Sequence, residues 1–92
     1  MIERSAVFRH NPRVEYRNLA EEGGVLLHLD TASYHGINPV GALVWRVCDG
    51  GATFEQILSA LRSEITDAPD SLERDIEEFL TSMTERELLL TE

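Results

Sequence analysis

The side chains that most often bind metals or attack substrates are few in this chain and widely separated. The histidines are His10, His28 and His35, and Cys48 is the only cysteine. Zinc sites use closely spaced Cys or His ligands, and no two of these four residues have such a spacing. A single cysteine also allows no disulfide within the chain. The sequence therefore predicts no metal site, and we interpret Cys48 as a small core residue rather than a nucleophile.

Other groups that support catalysis or phosphate binding lack the surroundings that they need. The glycine pairs at positions 23–24 and 50–51 have neither the lysine nor the flanking pattern of a phosphate-binding loop. No nucleophile-activating motif surrounds the serines at positions 33, 59, 63, 71 and 82. We interpret the acidic residues of the last predicted helix as a solvated face rather than as acid/base pairs. The sequence therefore predicts a protein that is not an enzyme and needs no cofactor.

The distribution of charge makes nucleic acid an unfavourable partner. The formal net charge is −9, and the chain has no lysine. Residues 1–19 carry four arginines and two glutamates, whereas residues 49–92 carry twelve acids and three arginines. Such a surface repels a phosphate backbone. The N-terminal segment lacks the apolar core of a signal peptide, and no apolar run is long enough to span a membrane, so we expect a cytoplasmic protein without a membrane partner.

The elements that must position any site begin with a predicted antiparallel sheet. The 92 residues are expected to form a single domain, with residues 1–12 as a loosely held arm that ends at Asn11-Pro12. Alternating apolar residues predict a first strand over residues 14–17, and residues 7–8 are compatible with it. A short apolar run over residues 25–29 predicts the second strand, and residues 33–37 the third. In this meander the first and third strands are the exposed edges.

Three helices are predicted to follow the strands, which makes the fold class α+β. Asn38 is a good N-cap and Pro39 suits the first helical position, while Asp49-Gly50-Gly51 ends the helix. Thr53 and Gln56 form a capping box for the second helix, which should end near Thr66. The third helix should begin at a cap formed by Asp70 with Glu73, or by Ser71, and residues 88–90 should pack on the core as an extended segment or terminal turn.

Two aromatic residues each allow two structural interpretations. Trp45 lies at the border of the apolar stripe of the first helix, where it could be a core residue or a partner-facing aromatic. If Ile37 points into the core, the two-residue period of a strand places Tyr34 on the other face. An exposed tyrosine on an edge strand suits peptide recognition, and it equally suits a side chain that covers the sheet margin.

A pattern across residues 14–90 resembles the PqqD-like family, the peptide-recognition domains of ribosomally made, modified peptides. The residues that carry the resemblance are Tyr34, Ile37, Asn38, Gly41, Trp45, Asp49, Gly50, Thr53, Ile57, Leu61, Asp75, Ile76, Phe79, Leu80, Met83, Leu88 and Leu89. The resemblance implies a three-stranded antiparallel sheet followed by three helices in a winged helix-turn-helix-like arrangement. This implied order of elements agrees with the order predicted from periodicity.

The resemblance also implies a function and a set of binding residues. Family members bind the leader segment of a precursor peptide, which adds as an antiparallel strand along the third strand and packs beside the third helix. Main-chain hydrogen bonds and side-chain pockets together give this β-augmentation its affinity and specificity. The peptide-binding residues implied for this chain are Ser33, Tyr34, His35, Gly36, Ile37, Asp75, Glu78, Phe79, Ser82 and Met83.

Two pathways are compatible with the resemblance, and one unrelated function competes with it. The Gly41-to-Trp45 pattern looks more like recognition proteins of lasso-peptide clusters, which deliver the precursor to a separate leader peptidase. The alternative within the family is a peptide chaperone of pyrroloquinoline quinone synthesis that acts with a radical SAM enzyme. A winged-helix DNA-binding regulator is disfavoured, because base readout needs cationic anchoring and the third helix is acidic. The oligomeric state stays open.

Overall fold

The structure, a computed structural model, describes residues 3–92. In chain order its strands and helices are β1 (Val7–His10), β2 (Val14–Asn18), β3 (Gly24–His28), β4 (Ser33–Ile37), α1 (Pro39–Val47), β5 (Ala52–Thr53), α2 (Phe54–Glu64), α3 (Leu72–Glu85) and β6 (Leu89–Thr91). A short 3-10 turn over Ala20–Glu22 joins β2 to β3. The α+β class and the three helices are confirmed, but the strands form two three-stranded sheets rather than one.

The predicted meander is one of these sheets, with the order β2-β3-β4. Both pairings are antiparallel, and Leu26 in the central strand lies opposite Tyr16 on one side and His35 on the other. The central strand alternates buried and half-buried residues because one face of the sheet packs on the core. The prediction that the first and third strands of the meander are its edges is confirmed, since β2 and β4 are the outer strands.

The second sheet corrects the prediction of a loosely held N-terminal arm. β1 is the central strand of the order β5-β1-β6, and Phe8 is fully buried within it. Arg4 is also held, because its guanidinium lies 3.0 Å from a Glu77 carboxylate oxygen and 4.2 Å from the centre of the Phe54 ring. The first two residues of the expected arm lie outside the described residues. Among the described residues of the arm, those at positions 3–6 and 11–12 lie outside the strand.

The helices begin at the predicted caps, and at the third start the cap is the second of the two predicted alternatives, Ser71. The Asn38 side chain accepts a hydrogen bond from the Gly41 amide at 2.8 Å, and the Thr53–Gln56 capping box is formed. The box between Asp70 and Glu73 is wrong, because Ser71 occupies the N-cap position of α3. Its hydroxyl donates to the Asp75 carboxylate instead of accepting from a backbone amide.

The core lies where the apolar stripes of the three helices meet the inner face of the meander and the second sheet. Trp45 is only 4% exposed, so the structure assigns it to the core. The buried apolar side chains of the helices are those of Val44, Trp45, Phe54, Ile57, Leu58, Leu61, Leu72, Ile76, Leu80 and Met83. α2 ends at Glu64, slightly before the predicted Thr66. None of the helices in residues 3–92 has both the length and the hydropathy needed to cross a membrane.

Candidate functional site

The outer edge of β4 is open, because within residues 3–92 only β3 pairs with this strand. Two hydrogen bonds, one at each end of the β2–β3 ladder, show which backbone groups of β3 face β2 and which face β4. The Leu29 amide donates to the Arg13 carbonyl at 2.8 Å, and the Leu19 amide donates to the Gly23 carbonyl at 2.9 Å. Antiparallel pairs alternate between hydrogen-bonded and non-hydrogen-bonded, so the odd-numbered positions of β3 face β2 and the even-numbered positions face β4.

This alternation places two residues of β4 with their backbone groups pointing outward. Leu26 pairs with His35, which therefore directs its N–H and C=O groups toward β3. Tyr34 and Gly36, one position to either side, direct theirs toward the open edge. No atom lies within 4 Å of the point where a Cβ on Gly36 would stand, so the solvent face of the sheet is open beside this edge. The edge is available to another extended chain.

The side chains of β4 separate onto two faces, as predicted from the two-residue period. Ile37 is 7% exposed and packs in the core, whereas Tyr34 is 73% exposed on the opposite face. His35 and Ser33 share the inner face with Ile37 and are half-buried. An added strand would therefore direct alternate side chains toward the helices and toward solvent.

α3 supplies the wall that faces the inner side of this edge. Asp75, Phe79, Ser82 and Arg86 recur at the spacing that brings residues onto one helical face. The Arg86 guanidinium donates to His35 Nδ1 at 3.2 Å, which connects the C-terminal end of α3 to β4. Glu78 is exposed beside this face. The C-terminal end of α3 thus contacts β4, and Asp75 and Phe79 line a pocket together with Asn38, the residue after β4.

Met83 differs from the other predicted binding residues of α3. It is only 4% exposed and belongs to the core cluster, where it packs behind the wall. Phe79 is half-buried, so part of its ring faces the groove while the rest packs against the core. The structure therefore leaves part of Phe79 at the surface and buries Met83 in the core.

A small apolar pocket of about 200 Å³ lies at the head of the groove, between α1, α3 and the loop that precedes α3. Its lining begins with Asn38, the residue directly after β4, and includes Asp75 and Phe79. The Phe79 ring occupies the space beside Gly41. A Cβ added at Gly41 would stand 2.8 Å from the Phe79 Cε1 atom. The close approach of α1 to Phe79 shapes this pocket.

A chain of hydrogen bonds closes the other end of the groove. Because Arg86 can only donate, His35 Nδ1 accepts and the ring proton resides on Nε2, which donates to the Ser33 hydroxyl at 2.9 Å. The Ser33 hydroxyl in turn contacts the Thr31 hydroxyl at 2.6 Å. Burial, with further contributions from Arg86 and His28, lowers the pKa of His35. His35 is therefore neutral at neutral pH, as this network requires.

A larger cleft of about 550 Å³ lies on the opposite side of α1 and borders β2. The His10 ring stacks on Trp45 with their centres 3.7 Å apart, and His10 Nε2–H donates to the Trp45 carbonyl at 2.6 Å. The Tyr16 ring lies 6.3 Å from the Trp45 ring. No local sequence pattern indicates this cluster, because its three aromatic rings come from β1, β2 and α1.

Among residues 3–92, the cysteine and the histidines form no group that could hold a metal ion. Cys48 is fully buried in the core, and burial raises the pKa of its thiol to about 12, so it remains a neutral thiol. His10, His28 and His35 occupy separate places: a stack on Trp45, a buried position in β3 and the end of the groove. The open edge of β4 offers unpaired backbone groups, and the groove beside it offers an apolar surface.

Comparison with known proteins places this chain in a family. The sequence model described as "Coenzyme PQQ synthesis protein D (PqqD)" matches residues 23–89, which include β3, β4 and all three helices. No curated protein sequence shows significant similarity to the chain.

Two solved structures share the fold. One, titled "TbiB1 in Complex with the TbiA(beta) Leader Peptide", has 31% sequence identity and a TM-score of 0.74, over 88% of this chain and 93% of that one. The other, titled "Lasso peptide synthetase B1 complexed with the leader peptide", has 28% identity and a TM-score of 0.72, over 90% of this chain and 96% of that one. Both of these similar proteins were solved with a leader peptide.

Proposed function

Because this chain belongs to the PqqD family, we propose that it is a non-catalytic domain that binds the leader segment of a ribosomally synthesised precursor peptide. The pathway that we propose is lasso-peptide biosynthesis, with a leader peptidase or another modifying enzyme as the second partner. One observation carries the proposal: the open edge of β4 borders the α3 groove in a fold shared with two leader-binding proteins.

The binding mode that this geometry supports is β-augmentation. An incoming strand pairs with the outward backbone groups of Tyr34 and Gly36 and extends the meander by one strand. Leader residues opposite His35 and Ile37 then project toward the α3 wall, because directly opposed residues share a face of the sheet. Main-chain hydrogen bonds hold the leader in place, and its inward side chains determine which sequences fit.

The antiparallel direction sets which part of the leader meets which part of the groove. β4 runs from Ser33 to Ile37, so an antiparallel leader begins near Asn38 and leaves past Ser33. The N-terminal part of the bound segment meets the pocket beside Phe79, whose volume of about 200 Å³ suits one compact apolar side chain. The remainder of the precursor leaves at the Arg86 end, where a peptidase can reach it.

The predicted binding residues take different roles in this arrangement. Tyr34 and Gly36 supply backbone pairing, while Phe79 supplies the apolar contact. Asp75 and Glu78 place negative charge along the groove, and the remaining predicted residues shape its inner face. That last group consists of Ser33, His35, Ile37, Ser82 and Met83.

The alternative role in pyrroloquinoline quinone synthesis, beside a radical SAM enzyme, is less favoured. The two similar structures reported above carry lasso-peptide or leader-peptide titles, and neither title names that cofactor. A DNA-binding role is disfavoured because α3 has two acidic residues in its first turn and no basic residue in its last.

A direct test is calorimetric titration with the leader of the precursor encoded beside this protein. The expected result is saturable one-to-one binding of that leader and none of a scrambled peptide of the same composition. The scrambled peptide keeps charge and hydrophobicity, so it isolates the order of side chains along the added strand. Equal binding of both peptides, or of neither, would refute the proposed function.

A further inference from the structure

The meander has a second open edge, on β2, that the proposed function leaves unused. Within the described part of the chain β2 pairs only with β3. Because the odd-numbered positions of β2 face β3, Val14, Tyr16 and Asn18 direct their backbone groups toward the open side. The four residues from Glu15 to Asn18 are all exposed. Exposed edge strands are templates for pairing with another chain.

We propose that β2 pairs with β2 of a second copy of this protein, antiparallel and with the two-fold axis at Tyr16. This pairing joins the two meanders into one continuous sheet, with both β4 edges at its far ends. The surface is isologous, since each copy contributes the same strand.

The direction of the backbone groups agrees with this register. A two-fold axis at Tyr16 places Tyr16 opposite its own symmetry mate and Val14 opposite Asn18 of the second copy. All three residues direct their backbone groups outward, so they form the hydrogen-bonded pairs of the ladder. The Val14 amide already donates to the Asn11 carbonyl at 3.0 Å, which leaves the Val14 carbonyl to accept from the Asn18 amide of the second copy.

The charges of β2 select the same register. With the axis at Tyr16, Glu15 lies opposite Arg17 of the second copy, and Arg17 lies opposite Glu15. These residues form non-hydrogen-bonded pairs, in which the side chains approach most closely. Neither side chain takes part in the ion pairs found among residues 3–92. Opposite charges across an antiparallel pair are favourable.

The two registers whose axis lies one residue to either side of Tyr16 place like charges together. An axis at position 15 opposes two Glu15 side chains, and an axis at position 17 opposes two Arg17 side chains. Parallel pairing in register places each Glu15 opposite Glu15 of the second copy and each Arg17 opposite Arg17. Like charges directly opposite each other are destabilising, so the charge pattern favours the axis at Tyr16 over these three arrangements.

Apolar surface lies beside the same edge. Tyr16 is 38% exposed and Leu19 is 41% exposed, and both belong to the few large apolar side chains with such exposure. The cleft of about 550 Å³ that contains Tyr16 and Trp45 runs along the inner side of β2. This surface adds an apolar contact to a ladder whose charge pairs, being exposed, contribute little energy each.

A charge-swap experiment tests the pairing. Sedimentation over a concentration series measures the dissociation constant of the dimer for the wild type, for Glu15→Arg, for Arg17→Glu and for the double swap. Each single variant turns both unlike pairs into like pairs, so we expect its dissociation constant to rise roughly tenfold. The double swap restores the unlike pairs in reverse order and should return within roughly threefold of the wild type.

Each outcome decides the proposal. All four positions of the two charge pairs are exposed, and circular dichroism with melting curves shows whether the variants remain folded. A wild type that stays monomeric at every concentration would overturn the proposal. So would a dimer that both single variants leave unchanged, since that dimer would use another surface. A double swap as weak as the single variants would show that the charges do not face each other.

Discussion

The two edges of the meander differ in how each can specify a partner. β2 alternates charges around a tyrosine, in the sequence Glu15-Tyr16-Arg17, whereas β4 has no acidic, lysine or arginine side chain between Ser33 and Ile37. A charged edge specifies its partner through the pattern of charges across the ladder. An uncharged edge lacks that information and depends on the surface beside it. For β4 that surface is the α3 groove with Phe79.

The glycine of β4 reinforces the difference. Gly36 leaves open space on the solvent face of the sheet, beside the position of an incoming strand. In β2 the corresponding outward position is Tyr16, whose ring occupies the space above Gly24 in the neighbouring strand. We therefore expect variants in the α3 groove to affect leader binding and to leave association through β2 unchanged.

The largest effect is expected from truncation of Phe79. Phe79→Ala removes the apolar contact at the head of the groove and should weaken leader binding by about 1–3 kcal/mol, or roughly 5- to 150-fold. Phe79 also packs against the core, so Phe79→Leu is the matched control that keeps most of the buried volume. Titration calorimetry measures the affinity, and melting curves measure the stability of both variants.

The comparison would fail if Phe79→Ala bound the leader as tightly as the wild type while remaining folded. A parallel loss of affinity and of β2-mediated association would also contradict it, because the two edges would then not be independent.

The next effect concerns the backbone of β4 itself. The Gly36 amide points outward, so Gly36→Pro removes a donor to the leader without removing one from the β3–β4 ladder. We expect a loss of about 0.5–1.5 kcal/mol from the missing hydrogen bond, with any clash of the ring adding to it. Gly36→Ala keeps the amide and meets no atom within 4 Å, so it should bind nearly as the wild type does. Equal affinities of the two variants would contradict the pairing.

A smaller effect is expected from Gly41→Ala. The added Cβ would lie 2.8 Å from Phe79 Cε1, so the Phe79 ring must shift and alter the pocket. Alanine is the better helix former, which offsets part of the strain within α1. We expect a severalfold loss of leader affinity with little change in melting temperature. An unchanged affinity in a calorimetric titration would show that the leader does not use the pocket between α1 and α3.

The smallest effect is a dependence of the protein's stability on pH, which arises from His35. The pKa of His35 is lowered from its ordinary value of 6.5, so the unfolded chain takes up the proton first as the pH falls. The stability contributed by neutral His35 is complete above about pH 6.5 and is lost as the pH falls through the lowered pKa. His35→Gln should therefore show a smaller fall in melting temperature on acidification. Identical falls in both proteins would contradict a lowered pKa of His35.

Most of the meander and the helices could be predicted because their signals are local. The alternation that separates Tyr34 from Ile37, and the caps at Asn38 and Thr53, depend on residues a few positions apart. β1 could not be predicted in the same way, since its partners at residues 52–53 and 89–91 are short strands from distant parts of the chain. Phe8 is buried by those distant partners rather than by a local pattern.

The candidate site was predictable to a similar extent. The residues of β4 and α3 came from a resemblance that spans the whole motif, and the structure brings the two elements together through the His35–Arg86 contact. The direction of each backbone group, the burial of Met83 and the cluster of His10, Tyr16 and Trp45 all depend on tertiary packing. No spacing in the sequence contains that information.

Amide hydrogen exchange with and without the leader tests the central claim most directly. If the leader adds to β4, the amides of Tyr34 and Gly36 become protected on binding, while those of Tyr16 and Asn18 keep the protection that they had before. Protection of the β2 amides by the leader, with Tyr34 and Gly36 unchanged, would show that the leader binds the other edge and would contradict this account.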